Sequence, residues 1–219
     1  LTPVKFAVIL DDMNKPLTRR DYRMVARAEA AAGTAQRIQA AAVALWRTRS
    51  LDEITLDEIA ERAGVSARTV IRRFGSKEGV IEACIESDAA GIQTDRGQAA
   101  VGDVEGALEI LMSHYERDGD AVLRTIALEE RVAVAKTIAT AGRAAHRAWC
   151  ARVFAPHLPA EGDDSRDGRL DAFVAATDLY LWKLLRRDLD RPLEDVHEAV
   201  RTLLEGLIAL SPPSEVRFP

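Results

Sequence analysis

The chain is poor in the residues that most chemistry needs. Only two cysteines, Cys84 and Cys150, occur in 219 residues. They stand far apart without a CxxC partner, so a disulfide framework is excluded and reduced thiols are expected. The four histidines, His114, His146, His157 and His197, lack HxxxH or HExxH spacing, which removes the usual zinc arrangements. There is no GxSxG, P-loop or dinucleotide fingerprint, and the paired acids Asp163-Asp164 and Glu129-Glu130 read as loop or surface charge. Neither catalysis nor a bound metal or cofactor is expected. Aromatics are only 5% of the chain and no run alternates with strand period, so the apolar pattern points to an all-α fold. The apolar stretch Val4–Leu10 is too short to span a bilayer and runs into Asp11-Asp12 without a small-residue cleavage site. No signal peptide and no membrane association are expected, and the location expected is cytoplasmic. A formal net charge of −5 excludes a general polyanion binder; affinity for DNA would have to come from clustered cations and would be salt-dependent.

Against that background one stretch stands out, Thr55 to Cys84, TLDEIAERAGVSARTVIRRFGSKEGVIEAC. Thr55 followed three residues later by Glu58 is the pattern of a capping box, in which the hydroxyl accepts a first-turn N–H and the carboxylate reaches back to the cap's own N–H. Leu56, Ile59, Ala60 and Ala63 recur at offsets that line one helical face, and Gly64 stands where a left-handed residue closes a last turn at little steric cost. Ser66 is a good cap for a second helix. The short link Gly64-Val65-Ser66 holds the two helices at a steep angle, as a helix-turn-helix requires. Val70 and Phe74 then face inward, turning Ala67, Arg68, Ile71 and Arg72 outward with Thr69 and Arg73 at the flanks; that face carries no acid. Gly75 ends this helix, Ser76 caps a third, and Lys77 takes its first position, where the helix dipole disfavours a cation. An anionic partner such as a DNA phosphate would suit the ammonium and the free N–H groups there.

The segment IAERAGVSARTVIRRFGSKEGVIEA is similar to the N-terminal module of the TetR family of bacterial transcription regulators, over roughly Gln36 to Glu86. The resemblance implies that the helix opening at Thr55 touches the DNA backbone, that the helix opening at Ser66 enters the major groove, and that Lys77 holds a phosphate. Arg68 and Thr69 are then expected at base edges and Arg72 and Arg73 at bases or phosphates, with Thr55, Ser66 and Lys77 on the backbone. Two positions depart from the family pattern. Ile71 stands where an aromatic is usual, and Arg73 where His or Tyr is usual. Ile71 cannot hydrogen-bond a phosphate but can pack on a thymine methyl, and Arg73 adds a charge.

Residues 1–33 form an extension outside the resemblance. Arg19, Arg20, Arg23 and Arg27 are spread over a helical pattern there, either as a basic arm along the DNA or as a solvated tail diluted by Asp21 and Glu29. Residues 34–86 form the DNA-binding domain. From Thr34, the residues Ile38, Ala41, Ala42, Leu45 and Trp46 mark a first helix over the module, and Ile54 and Leu56 complete its core. Residues 87–219 form a helical second domain, with the polar stretch Ser87 to Asp103 as the joint. A stripe begins at Val104, Leu108, Leu111, Met112 and Tyr115, and Asp118-Gly119-Asp120 is expected to break it. A long helical pattern runs from Val132 towards Phe154 and stops at Pro156 and Pro159; Glu161 to Gly168 reads as an acidic loop. One helix over Leu170 to Leu185 and a last one carrying Val196, Val200, Leu203, Leu204, Leu207 and Ile208 are apolar on more than one side and need burial on more than one side. A four-helix interface with a second copy would supply it, and TetR-like proteins dimerise there. Such a homodimer sets two recognition helices about one duplex turn apart, ~34 Å, to fit a palindrome.

The expected architecture is therefore a helix-turn-helix three-helix DNA-binding domain followed by a helical ligand-binding and dimerisation domain. A helical body can hold a small apolar molecule, and TetR-like proteins commonly do so. Met112, Tyr115, Trp149 and Phe154 are candidates to line that site, with His114 or His146 as a polar handle; side chains of these types at helical spacing also make ordinary core. The function expected is a ligand-responsive repressor acting as a homodimer on a palindromic double-stranded DNA operator, with a small apolar effector. Two other readings stay open, a constitutive dimeric regulator and an all-helical ligand carrier or enzyme with a relic DNA-binding module.

Overall fold

The computed structural model describes residues 19–85 and 97–210, and every regular element among them is helical. In chain order these are α1 (Arg19–Trp46), α2 (Leu56–Ala63), α3 (Ala67–Phe74), α4 (77–85), α5 (Val104–Ile126), α6 (Ala133–Val153), α7 (Arg166–Ala176), α8 (Leu179–Lys183) and α9 (Leu193–Ala209). A 3-10 turn, Ala155–His157, carries Pro156 after α6, and a wide π turn, Leu184–Asp188, extends α8. The Val4–Leu10 run and residues 87–96 of the expected joint lie outside the described residues. Among the described residues no helix is long and apolar enough to cross a membrane.

The helix-turn-helix forms from the local signals in its sequence. Thr55 and Glu58 make both halves of the capping box: the Glu58 N–H donates to the Thr55 hydroxyl at 3.3 Å and the Thr55 N–H to Glu58 Oε2 at 2.9 Å. Gly64 closes α2 at φ 67°, a left-handed conformation in which a Cβ would be strained. The Ser66 hydroxyl caps α3 by accepting the Thr69 N–H at 3.2 Å. Ile38, Ile59, Val70 and Val80 are fully buried and bring α1, α2, α3 and α4 onto one small core. Each such side chain contributes roughly 1.5–3 kcal/mol by leaving water.

The first helix begins at Arg19 rather than at Thr34 and runs for 28 residues. Nothing in Arg19–Gly33 breaks a helix, since the stretch is rich in Ala and Arg and holds no proline. Thr34 does not cap; its hydroxyl donates back to the Ala30 carbonyl at 2.8 Å, one turn earlier in the same helix.

In the second half, α5 to α9 surround a core built on Leu108, Leu111, Phe154, Phe173 and Trp182. The Phe154 and Phe173 rings stack with centroids 4.5 Å apart. Two expectations from local sequence are corrected here. Asp118-Gly119-Asp120 does not end α5, which continues through it to Ile126. Gly119 lies against the Trp182 ring, where a Cβ would come within 2.7 Å of Cζ3, and Asp118 is buried in ion pairs with Arg47 and Arg117. Packing thus overrides the weak helix propensity of the triplet. The apolar stretch Leu170 to Leu185 is two helices, not one: Asp178 leaves the helical conformation at ψ 149° and caps α8 by accepting the Tyr180 N–H at 2.8 Å.

The two halves meet through the end of α1. Leu51 and Ile81 of the module pack with Leu128 and Ala135 of the body. Trp46 Nε1 donates to Thr125 Oγ1 at 2.8 Å, and Arg124 Nη2 donates to the carbonyls of Trp46 and Arg47 at 3.2 and 2.8 Å.

Candidate nucleic-acid interface and adjoining cavity

Helix α3 buries Val70 completely, half-buries Phe74 and exposes Arg68, Ile71, Arg72 and Arg73. The inward and outward faces therefore divide as the spacing predicts, and no acidic side chain belongs to the helix. Its rigidity comes from below, since the Ser66 hydroxyl lies 3.0 Å from Thr69 Oγ1 in addition to capping the helix. The Gly75 N–H closes the other end on the Ile71 carbonyl at 2.8 Å. Thr55 and Ser66, expected at phosphates, are exposed, and each is engaged as a helix cap.

Lys77 is placed differently from the expectation of an outward ammonium. It is half-buried, and Nζ donates to the carbonyls of Leu51 and Ile54 at 3.1 and 3.0 Å. This cation at a helix start satisfies two carbonyls of the loop before α2 and pins that loop to α4. A phosphate contact would use its third N–H. Arg49 clamps the same loop through Glu58 and through the Glu53 carbonyl at 2.9 Å. The Glu58 carboxyl is held down to about 2, first by the Thr55 backbone N–H and then by Arg49 and the Thr55 hydroxyl.

Directly behind this surface lies a cavity of about 320 Å³. Its wall is shared. Trp46, Leu51, Ile54 and Ile81 come from the module, and Tyr115, Val122, Ile138 and Leu179 come from the body. This volume falls at the lower end of small-molecule sites, which are mostly apolar with a few placed polar groups. Tyr115 of the four expected residues lines it. Met112, Trp149 and Phe154 do not; they are buried in the core of the body. Both histidines considered as polar handles, His114 and His146, reach the wall.

Their partners differ. The Thr177 hydroxyl lies 2.8 Å from the Phe173 carbonyl and 3.1 Å from His146 Nε2, which donates to it whenever the hydroxyl proton is given to the carbonyl. Tyr115 joins the same cluster, its hydroxyl donating to the Thr177 carbonyl at 2.9 Å. His114 belongs to an ionic group instead. Its Nδ1 lies 4.0 Å from Asp118 Oδ2 and 3.3 Å from Arg117 Nη2. Asp118 is bound by Arg117 at 2.8 Å and by Arg47 of the module at 2.7 Å. Burial acts to raise the Asp118 carboxyl, but the hydrogen bonds from Arg47 and then Arg117 outweigh it and hold the group below its ordinary value.

This ionic group was missed by the reading from sequence, although a signal existed. Asp118 stands on the apolar face of α5, three residues after Tyr115 and seven after Leu111, and an acid in such a stripe calls for a buried partner. Among the described residues no group of three or more His, Cys, Asp or Glu side chains is placed to hold a metal ion. Cys84 and Cys150 are not joined in a disulfide.

Comparison with known proteins agrees with this geometry. Residues 38–84 match the family model described as bacterial regulatory proteins, tetR family. No match is found among curated proteins. A Mesorhizobium loti protein assigned to the TetR family of transcriptional regulators shares the fold with a TM-score of 0.53 at 18% identity, over 82% of this chain and 97% of its own. Thermus thermophilus FadR, a TetR-family transcriptional repressor solved in complex with lauroyl-CoA, gives a TM-score of 0.51 at 20% identity, over 84% of this chain and 98% of its own. The chain thus carries the DNA-binding helix-turn-helix module of the TetR-family transcription regulators and folds as they do, with that module at the head of an all-helical body.

Proposed function

We propose that this protein is a cytoplasmic, homodimeric transcription repressor that reads a palindromic operator and leaves it when a small apolar molecule enters the cavity. The observation that carries the reading is the position of that cavity. Its wall is made jointly by the DNA-binding module and the body, so an occupant touches both. On the DNA side, Arg68 and Thr69 sit at the start of α3 for base edges, Arg72 and Arg73 serve bases or phosphates, and Thr55, Ser66 and Lys77 lie near the backbone. Ile71, 52% exposed, offers an apolar contact for a thymine methyl.

Release follows if the effector binds a module orientation that no longer fits adjacent grooves more tightly than the one that does. The Trp46–Thr125 bond and the Arg47–Asp118 pair are the polar contacts such a change would exchange. FadR's complex with lauroyl-CoA supports an apolar effector here, in keeping with the aliphatic and aromatic wall. Dimerisation through the last helices is supported by the large apolar side chains they leave exposed, Tyr180, Leu184 and Leu203 at 56%, 46% and 47%, which a second copy would cover. A filled body would favour a constitutive regulator and an eroded reading face a relic module; the cavity and the acid-free face of α3 support the ligand-responsive repressor instead.

The test is selection of bound duplexes from a random DNA pool at two salt concentrations, followed by sedimentation of the complex. Enrichment of a palindrome with half-sites about one helical turn apart, bound by two protomers, is expected. Weak, salt-sensitive binding without enrichment would sink the reading. Arg68→Ala should relax preference at one position per half-site by about 1–3 kcal/mol.

A further inference from the structure

No described side chain in the first fifteen residues of α1 belongs to the core of the module, yet Arg23 and Arg27 are arranged with respect to it. Arg23 and Ala41 are eighteen residues apart, as are Arg27 and Leu45. That separation is five whole turns at about 3.6 residues per turn, so each arginine lies in line with its partner on one helical face. Ala41 and Leu45 face the core formed by α2 and α3. Arg23 and Arg27 are exposed and hence project from the extension in line with the face of α1 that packs on the module, while Glu29 falls on the other side of α1.

The direction of the helix adds the second constraint. The C-terminal end of α1 is fixed to the body by Trp46 and Arg47, so its N-terminal end is the one remote from those contacts and overhangs the module's core. Beyond Ile38, the first core residue, Arg27 stands ~16 Å and Arg23 ~22 Å further along the axis. The exposed Arg37 continues the basic face at the foot of the overhang, held by the Ala63 carbonyl at the end of α2 at 3.5 Å.

The geometry points to a second DNA-contacting element: the helical extension of α1 lies beside the duplex read by α3 and grips its phosphates through Arg23 and Arg27. This inference rests on the DNA-reading assignment of α3. The occupant is a nucleic-acid backbone because the face is cationic, exposed and joined to the module through Arg37 at the end of α2, and because a regular rod with arginines one turn apart can follow a strand that presents a phosphate about every 3.4 Å of duplex axis. Such contacts add affinity and salt dependence without base preference.

The experiment uses the full chain and a fluorescent duplex that the wild type enriches from a random pool. Binding is measured across salt for the wild type, Arg23→Ala/Arg27→Ala and the charge-keeping Arg23→Lys/Arg27→Lys. The alanine pair should flatten the log–log salt slope by about 1.8 per protomer, at about 0.9 per phosphate, with the enriched sequence unchanged; the lysine pair should restore the slope. Hydroxyl-radical footprints should show wild-type protection extending roughly six base pairs beyond each half-site, at about 3.4 Å per pair, and lost in the alanine pair. An alanine pair with wild-type slope and footprint overturns the inference and leaves the reading by α3 intact. If the wild type enriches no duplex, the DNA-reading assignment falls and takes this inference with it.

Discussion

The module and the body are held together by different means. In the module, both ends of α2 and the start of α3 are closed by residues a few positions away: Thr55 with Glu58, Gly64, and Ser66 with Thr69. In the body, the decisive contacts join residues far apart in the chain, Gly119 with Trp182 and His146 with Thr177. The module's core is filled by its own four helices, whereas the body borders a cavity that it shares with the module. A reading head must keep its recognition helix fixed. On the proposed reading the body senses a ligand and needs a boundary that the ligand can move, and unfilled volume beside a polar latch would provide one.

Trp182→Ala should break the body most severely. The side chain is fully buried, packs on Gly119 and donates to Glu116 Oε1 at 2.9 Å. Urea unfolding should show a loss of about 3–5 kcal/mol, and an unchanged midpoint would refute the tertiary account of α5. Asp118→Asn tests the boundary itself. Arg47 and Arg117 are 43% and 44% exposed and can return to water, so the cost should be about 1–3 kcal/mol. It should appear as a module that unfolds separately from the body in calorimetry; a single unshifted transition would mean that the pair does not couple them.

Two glycines sharpen the comparison further. Gly119→Ala places a Cβ within 2.7 Å of the Trp182 ring and should destabilise by about 1–3 kcal/mol. Gly142→Ala, exposed within α6 with nothing inside 4 Å, should stabilise by about 0.5–1 kcal/mol through helix propensity. Thermal midpoints that shift in the same direction for both would contradict this account. The smallest effect is expected at the module's local lock. The folded Glu58 carboxyl lies at about 2 against an ordinary 4.5, so its contribution is present above about pH 4.5 and is lost as pH falls towards 2. Acid titration of module helicity should show this loss in the wild type and a flatter profile in Glu58→Gln.

The sequence by itself determined the elements whose signals are short-range. Capping hydroxyls, the left-handed glycine and the split of α3 between Val70 and its arginines involve residues within one or two turns, so composition and spacing suffice to state them. The family resemblance rests on that same local stretch. Tertiary structure alone decided three other matters. It carried α5 through Asp118-Gly119-Asp120, because a distant tryptophan and arginine outweigh the triplet's turn propensity. It gave Lys77 two loop carbonyls as partners, which no spacing along the chain announces. It also placed Trp46, Leu51, Ile54 and Ile81 on the wall of this cavity and Met112, Trp149 and Phe154 away from it, buried in the core of the body. An apolar residue carries the same sequence signal whether it faces a neighbour or an empty volume, and only the packing of helices from both halves separates the two.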